Sequence, residues 1–173
     1  MVDLKKLQTN IGTFERPPIE RWNPPFCGDI DICIQANGDW LYQGSVIQRS
    51  ALVRLFASVL WQENDEYFLV TPVEKVRIQV ADLPFLITSW TRQADGLIVV
   101  TTNTAETYPL GEQYPLILEK HQPAVRIRDG FLARVHRNVY YQWAEQAAPA
   151  QHDEADGYYL LSGDSRFYLG SAS

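Results

Sequence analysis

Cysteine is nearly absent from this chain: Cys27 and Cys33 are the only two among 173 residues. That excludes a disulfide-built scaffold and fits a reducing cytoplasm, with room for one disulfide at most. The three histidines, His121, His136 and His152, have no close ligand spacing. With two isolated cysteines they do not make a zinc pattern. No apolar run approaches the roughly 18 residues of a membrane span. The N-terminus lacks the basic-then-apolar order of a signal peptide. Phosphate-loop, Gly-x-Gly-x-x-Gly and Gly-x-Ser-x-Gly signatures are missing, which lowers the expectation of an enzyme. Positive charge is also short, with a net charge of −6. Neither a nucleic-acid polymer nor an anionic membrane is then an expected partner, because each needs a basic face. One local basic pocket stays open.

What is present is globular. Hydrophobic residues reach 46% against 21% charged, so there is material for a core, and the length suits one domain or two small ones. A small unit reads as if written twice. Residues 30–70 and 123–170 each give strand, tight turn, strand, helix, acidic turn and apolar strand. The first has the turn Asn37-Gly38, which favours a type I′ hairpin, and a helix capped by Ser50. Leu52, Leu55, Phe56, Val59 and Leu60 fall on that helix's apolar face. The second has the turn Asp129-Gly130 and a helix capped by Asn138, with Tyr140, Trp143, Ala144, Ala147 and Ala148 at the same offsets. The fold class expected is α+β, built of two related subdomains, each an antiparallel sheet with one packed helix.

Before the first copy, Leu4, Leu7 and Ile11 have helical spacing. Pro17-Pro18 and Pro24-Pro25 then make residues 17–26 an extended strap pinned by Trp22 and Phe26. Between the copies, Phe85–Thr91 and Leu97–Thr102 read as a hairpin through Ala94-Asp95-Gly96. Tyr108-Pro109-Leu110 and Tyr114-Pro115-Leu116 read as edge strands or a linker. Ala147–Asp156 reads as a loop. The organisation expected is residues 1–26 as helix and strap, 27–108 as a first subdomain with the hairpin, and 109–173 as a second.

Certain segments are distinctive: Trp22-Asn23-Pro24-Pro25-Phe26-Cys27-Gly28-Asp29-Ile30-Asp31, Leu52-Val53-Arg54-Leu55-Phe56, and the run from Tyr67 to Val76. Thr102-Asn103 and Phe167-Tyr168-Leu169-Gly170 add to them. Together they resemble the bacterial domain-of-unknown-function family 1285, from about residue 17 to the C-terminus. The resemblance implies a duplicated α+β fold whose C-terminal part is like a pleckstrin-homology domain. It also implies a nucleotide-like ligand between the halves, and a role in signalling or oxidative stress. The function of that family is not established.

The candidate ligand-binding residues are Trp22, Asn23, Asp29, Asp31, Thr71, Glu74, Lys75, Arg77 and Asn103. No catalytic residue, metal ligand or cofactor is assigned. Asp29 and Asp31 share a strand face, so they suit a ribose hydroxyl, a metal, a cation or acid–base work. The plainer reading is that they satisfy backbone N–H groups of the strap. Lys75 and Arg77 also share a face and suit phosphate. The competing reading is a protected sheet edge. Asn103 can read an amide or base edge, though a turn role is simpler. Trp22 or Trp90 can stack on a base, though core packing is simpler. Cys27 lies beside Asp29, which opposes a lowered thiol pKa, so a structural cysteine is favoured over a redox sensor. Three functions follow: a non-enzymatic ligand-sensing module, a protein–protein adaptor, and a hydrolase or lyase using Asp29 and Asp31.

Overall fold

The structure is a computed structural model that describes residues 3–11 and 18–171. The chain divides into two units, Met1–Asp82 and Leu83–Ser173. No described helix is long and apolar enough to cross a membrane.

The first unit opens with helix α1 (Leu4–Ile11), whose Leu7 and Ile11 are fully buried. Asp3 accepts the Lys6 N–H at its start. Pro18 leads into a short 3-10 turn, Ile19–Arg21, and extended chain follows to Pro25. The strap is therefore not extended throughout; Pro17 lies outside the described residues. Six strands come next: β1 (Phe26–Ile34), β2 (Trp40–Tyr42), β3 (Ser45–Val46), β4 (Leu60–Glu63), β5 (Glu66–Val70) and β6 (Lys75–Val80). Their order is β3-β2-β1-β6-β5-β4, with β1 and β6 parallel and every other pair antiparallel. Ile30, Ile32 and Ile34 alternate inward along β1, as its period of two requires. Helix α2 (Ser50–Ala57) packs Phe56 onto Trp40, the ring centroids 6.5 Å apart.

The second unit has β7 (Phe85–Arg92), β8 (Ile98–Thr102), β9 (Thr107–Pro109), β10 (Leu116–Glu119), β11 (Gln122–Arg126) and β12 (Leu132–Val135). These order as β10-β11-β12-β7-β8-β9, with β12 and β7 parallel. Helix α3 (Arg137–Glu145) follows, then a three-stranded sheet of β13 (Ala148–Pro149), β14 (Tyr158–Ser162) and β15 (Ser165–Gly170). Ser162 joins the two sheets of this unit. Its hydroxyl accepts the Ile98 N–H and donates to the Leu110 carbonyl.

The two halves are similar, and the strand order shows how. Each large sheet is two three-stranded meanders, and the first strand of one pairs in parallel with the last strand of the other. So β1–β6 correspond to β7–β12, and residues 30–70 do not match 123–170. The helix lies between the meanders in the first unit and after both in the second. The hairpin β7–β8 accordingly belongs to the second unit, and the halves divide after Asp82 and not near residue 108.

Local corrections follow. The cap of α2 is Arg49, whose carbonyl already accepts the Leu52 and Val53 N–H groups. The cap of α3 is His136, whose Nδ1 accepts the Asn138 N–H. Helix α3 buries Val139 and Trp143; Tyr140 is half-buried, and Ala147 and Ala148 lie beyond the helix. Val59 and Leu60 are buried but follow α2, and Leu55 is half-buried. The Asn37-Gly38 turn has Gly38 at φ 92° while Asn37 stays at negative φ. It is a three-residue loop closed by Gly38 N–H on the Gln35 carbonyl, rather than a type I′ pair.

Candidate functional site

The outer face of the first sheet is where sequence and chemistry meet. Val76 and Ile78 of β6 point into the core, so the residues between and beside them point out. Register places Trp61, Phe68, Arg77 and Asp29 in one row across β4, β5, β6 and β1. Val70, Lys75 and Phe26 form the neighbouring row. Each cation lies over a ring: Lys75 Nζ is 4.5 Å from the Phe68 centroid and the Arg77 guanidinium 5.4 Å from that of Phe26. Each also holds carboxylates. Lys75 donates to Glu63 at 2.8 Å, and Arg77 donates to Asp29 at 2.7 Å and to Glu66 at 3.3 Å. The Trp61 indole N–H donates to the other oxygen of Glu63 at 2.7 Å. Those bonds from Lys75 and Trp61 hold the Glu63 carboxyl below its ordinary range. The bond to Asp29, then that to Glu66, raises the Arg77 pKa.

The strap borders this face. The Pro25 carbonyl accepts the Lys75 N–H at 3.1 Å. Between strap and sheet lies a cleft of about 250 Å³, lying wholly within the first unit. The strap supplies Ile19, Glu20, Trp22, Asn23 and Pro24; the sheet supplies Trp61, Glu63, Val70 and Lys75.

The residues singled out from sequence divide as follows. Trp22, Asn23 and Lys75 line the cleft. Arg77 and Asp29 form the ion pair on the same face. Asp29 thus meets a side chain, where the plainer reading had it on the strap backbone. Asp31 is exposed, and its backbone carbonyl accepts the Gln43 N–H. Thr71 and Glu74 are buried and build the turn before β6: the Thr71 hydroxyl accepts the Glu74 N–H, and Asn10 donates to the Glu74 carboxylate. Asn103 belongs to the second unit, where its side chain accepts the Leu86 N–H and its own N–H meets the Leu86 carbonyl. The sheet-edge reading of Lys75 and Arg77 fails, because β6 is flanked by β1 and β5. Cys27 is exposed and donates to the Pro25 carbonyl. Among the described residues no cluster of His, Cys, Asp and Glu could hold a metal ion. Reading the sequence missed Trp61, Glu63 and Glu20. The signal was there for the first two: Trp61 and Glu63 are two apart on a strand, so they share a face.

Family models match both parts of the chain. The N-terminal domain of the DUF1285 domain of unknown function matches residues 17–83, and the C-terminal domain of the DUF1285 protein of unknown function matches residues 84–169. The chain belongs to the DUF1285 family. Two solved DUF1285 structures are similar to it. That of a family protein from Silicibacter pomeroyi DSS-3 is 34% identical over 99% of this chain and 97% of its own, with a TM-score of 0.84. That of a family protein from Shewanella baltica OS155 is 34% identical over 66% of this chain and 91% of its own, with a TM-score of 0.56. No curated protein matches the chain. The division between the two DUF1285 models, after residue 83, falls one residue from the division between the units.

Proposed function

We propose that this DUF1285 protein is a non-enzymatic, ligand-binding sensory module, and that its first unit takes a small molecule in the cleft beneath the strap. One observation carries the reading: Trp22, Asn23 and Lys75 were singled out by sequence, and they line one cleft with Trp61 and Glu63. Aromatic walls with a few convergent polar groups are what ligand sites are made of. A hydrolase or lyase working through Asp29 and Asp31 is less well supported, because Asp29 is already engaged by Arg77.

The test is a thermal-shift panel of metabolites on wild type, Trp61→Ala and Lys75→Ala. Nucleotides and metal ions head the panel, because the family resemblance implies a nucleotide-like ligand. A true ligand at a hundredfold its Kd stabilises the fold by about 2.7 kcal/mol. The expected result is a shifted melt in wild type that is reduced in Trp61→Ala. If no compound moves the melt and a pull-down yields one stoichiometric protein, the module is an adaptor and the reading is wrong.

A further inference from the structure

The charge around the cleft does not suit an anion. Among the described residues Lys75 is the one cation in its lining, and Glu63 already holds it at 2.8 Å. A phosphate approaching Lys75 would meet the charge of that carboxylate, which Trp61 also holds in place. Glu20 faces the same space from the strap. On the adjoining sheet face, Asp29 and Glu66 flank the single cation Arg77, and Asp31 projects from β1. Among the described residues carboxylates outnumber cations across this face. A surface whose charges sum to one sign raises the local concentration of ligands of the other sign.

The apolar lining is also informative. Two indoles, Trp22 and Trp61, meet Pro24 and Val70 in the cleft wall. Tryptophan faces are the strongest aromatic partners for a cation, and aromatic lining beside a carboxylate suits an ammonium group with an apolar skin. Resting on the ligand-binding reading above, we infer that the cleft takes a small organic cation, an ammonium or quaternary ammonium compound, with its charge toward Glu20 and its methyl or methylene groups on the indoles.

The test is calorimetry with choline and with adenosine monophosphate, at low and high salt. The variants are Glu20→Gln, Trp61→Ala, Trp61→Phe and Lys75→Ala, each checked for an unchanged melt and circular dichroism. Choline is expected to bind wild type and to weaken with salt. Its affinity falls about fivefold in Glu20→Gln, the loss of one half-screened charge. It falls about tenfold in Trp61→Ala and recovers in part in Trp61→Phe, which keeps a ring. Binding of adenosine monophosphate but not choline, lost in Lys75→Ala, overturns the cation assignment and leaves the ligand-binding reading standing. So does a Trp61-dependent panel ligand that carries no positive charge. If no compound of the panel binds at all, both fall together.

Discussion

Glu106, in the loop between β8 and β9, accepts four hydrogen bonds. Arg128 gives two, at 2.6 and 3.3 Å, the Tyr108 hydroxyl one at 2.6 Å and the Thr104 hydroxyl one at 2.8 Å. The Arg128 guanidinium also lies over the rings of Phe85 and Phe131, 5.3 and 5.6 Å from their centroids. Burial alone would raise the Glu106 pKa, but the bonds from Arg128, Tyr108 and Thr104 outweigh it and the carboxyl lies below its ordinary range. Burial and the Glu106 charge push the Tyr108 hydroxyl far up. Glu106→Gln should cost about 3 kcal/mol at pH 7, since it takes from a half-buried guanidinium the nearer of its counter-charges and leaves Asp129 at 3.3 Å. A lowered carboxyl pKa stabilises the fold above the unfolded value, and that stability is lost as pH falls through the folded one. The gap between wild type and Glu106→Gln in urea unfolding should therefore narrow as pH falls below 4.5, the ordinary carboxyl value. A gap constant from pH 7 to pH 3 would contradict the network. In the first unit, Phe56 is fully buried on Trp40 while Leu55 is half-buried. Chemical denaturation should show Phe56→Ala costing about 3–5 kcal/mol and Leu55→Ala about 1 kcal/mol. Equal losses would mean that α2 is turned on its axis.

At the scale of elements, the repeat is clearest in its turns. Asn64 and Asp65 join β4 to β5 with both φ values positive, 50° and 66°. Lys120 and His121 join β10 to β11 with 51° and 66°, the same two-residue turn. Positive φ at both positions favours Asn and Gly, and Lys and His are strained there. The double change Lys120→Asn, His121→Gly should raise stability by about 1 kcal/mol, read as a higher denaturant midpoint at unchanged slope. No gain would mean that the turn has relaxed to another form. The hairpins β1–β2 and β7–β8 repeat as well. Gln35-Ala36-Asn37-Gly38 and Gln93-Ala94-Asp95-Gly96 close in the same way, glycine N–H on glutamine carbonyl. Many strands and the turns at Asn37-Gly38 and Ala94-Asp95-Gly96 were legible in sequence, and so was the existence of two related halves; the start of β4, read as the end of α2, and β13, read as loop, were not. The pairing of the halves was not, because helix spacing is the strongest periodic signal and the helix sits at a different point in each unit. Four-residue turn echoes are weaker signals, yet they mark the true correspondence. Parallel pairing of β1 with β6 was not legible either, since it joins strands at opposite ends of a unit and leaves no local pattern.

For the molecule as a whole, the two units share one strand plan and carry different additions: a strap and an enclosed helix in the first, a helix and a small third sheet in the second. The proposed function rests on the strap, because with one face of the sheet it bounds the cleft. Its prolines were legible as a segment that stays outside the sheet, and Trp22, Asn23 and Lys75 were singled out with it. The partners of those residues were not legible. Glu63 and Trp61 reach Lys75 only once β4 and β5 pair, and Asp29 reaches Arg77 only across the parallel pair. The most direct measurement is amide hydrogen exchange on the full chain, with and without a ligand that shifts its melt. The account predicts added protection in residues 18–26, in β4, and around Val70 and Lys75, and none in the Glu106–Arg128 loops. Protection that leaves residues 18–26 and β4 unchanged would contradict it.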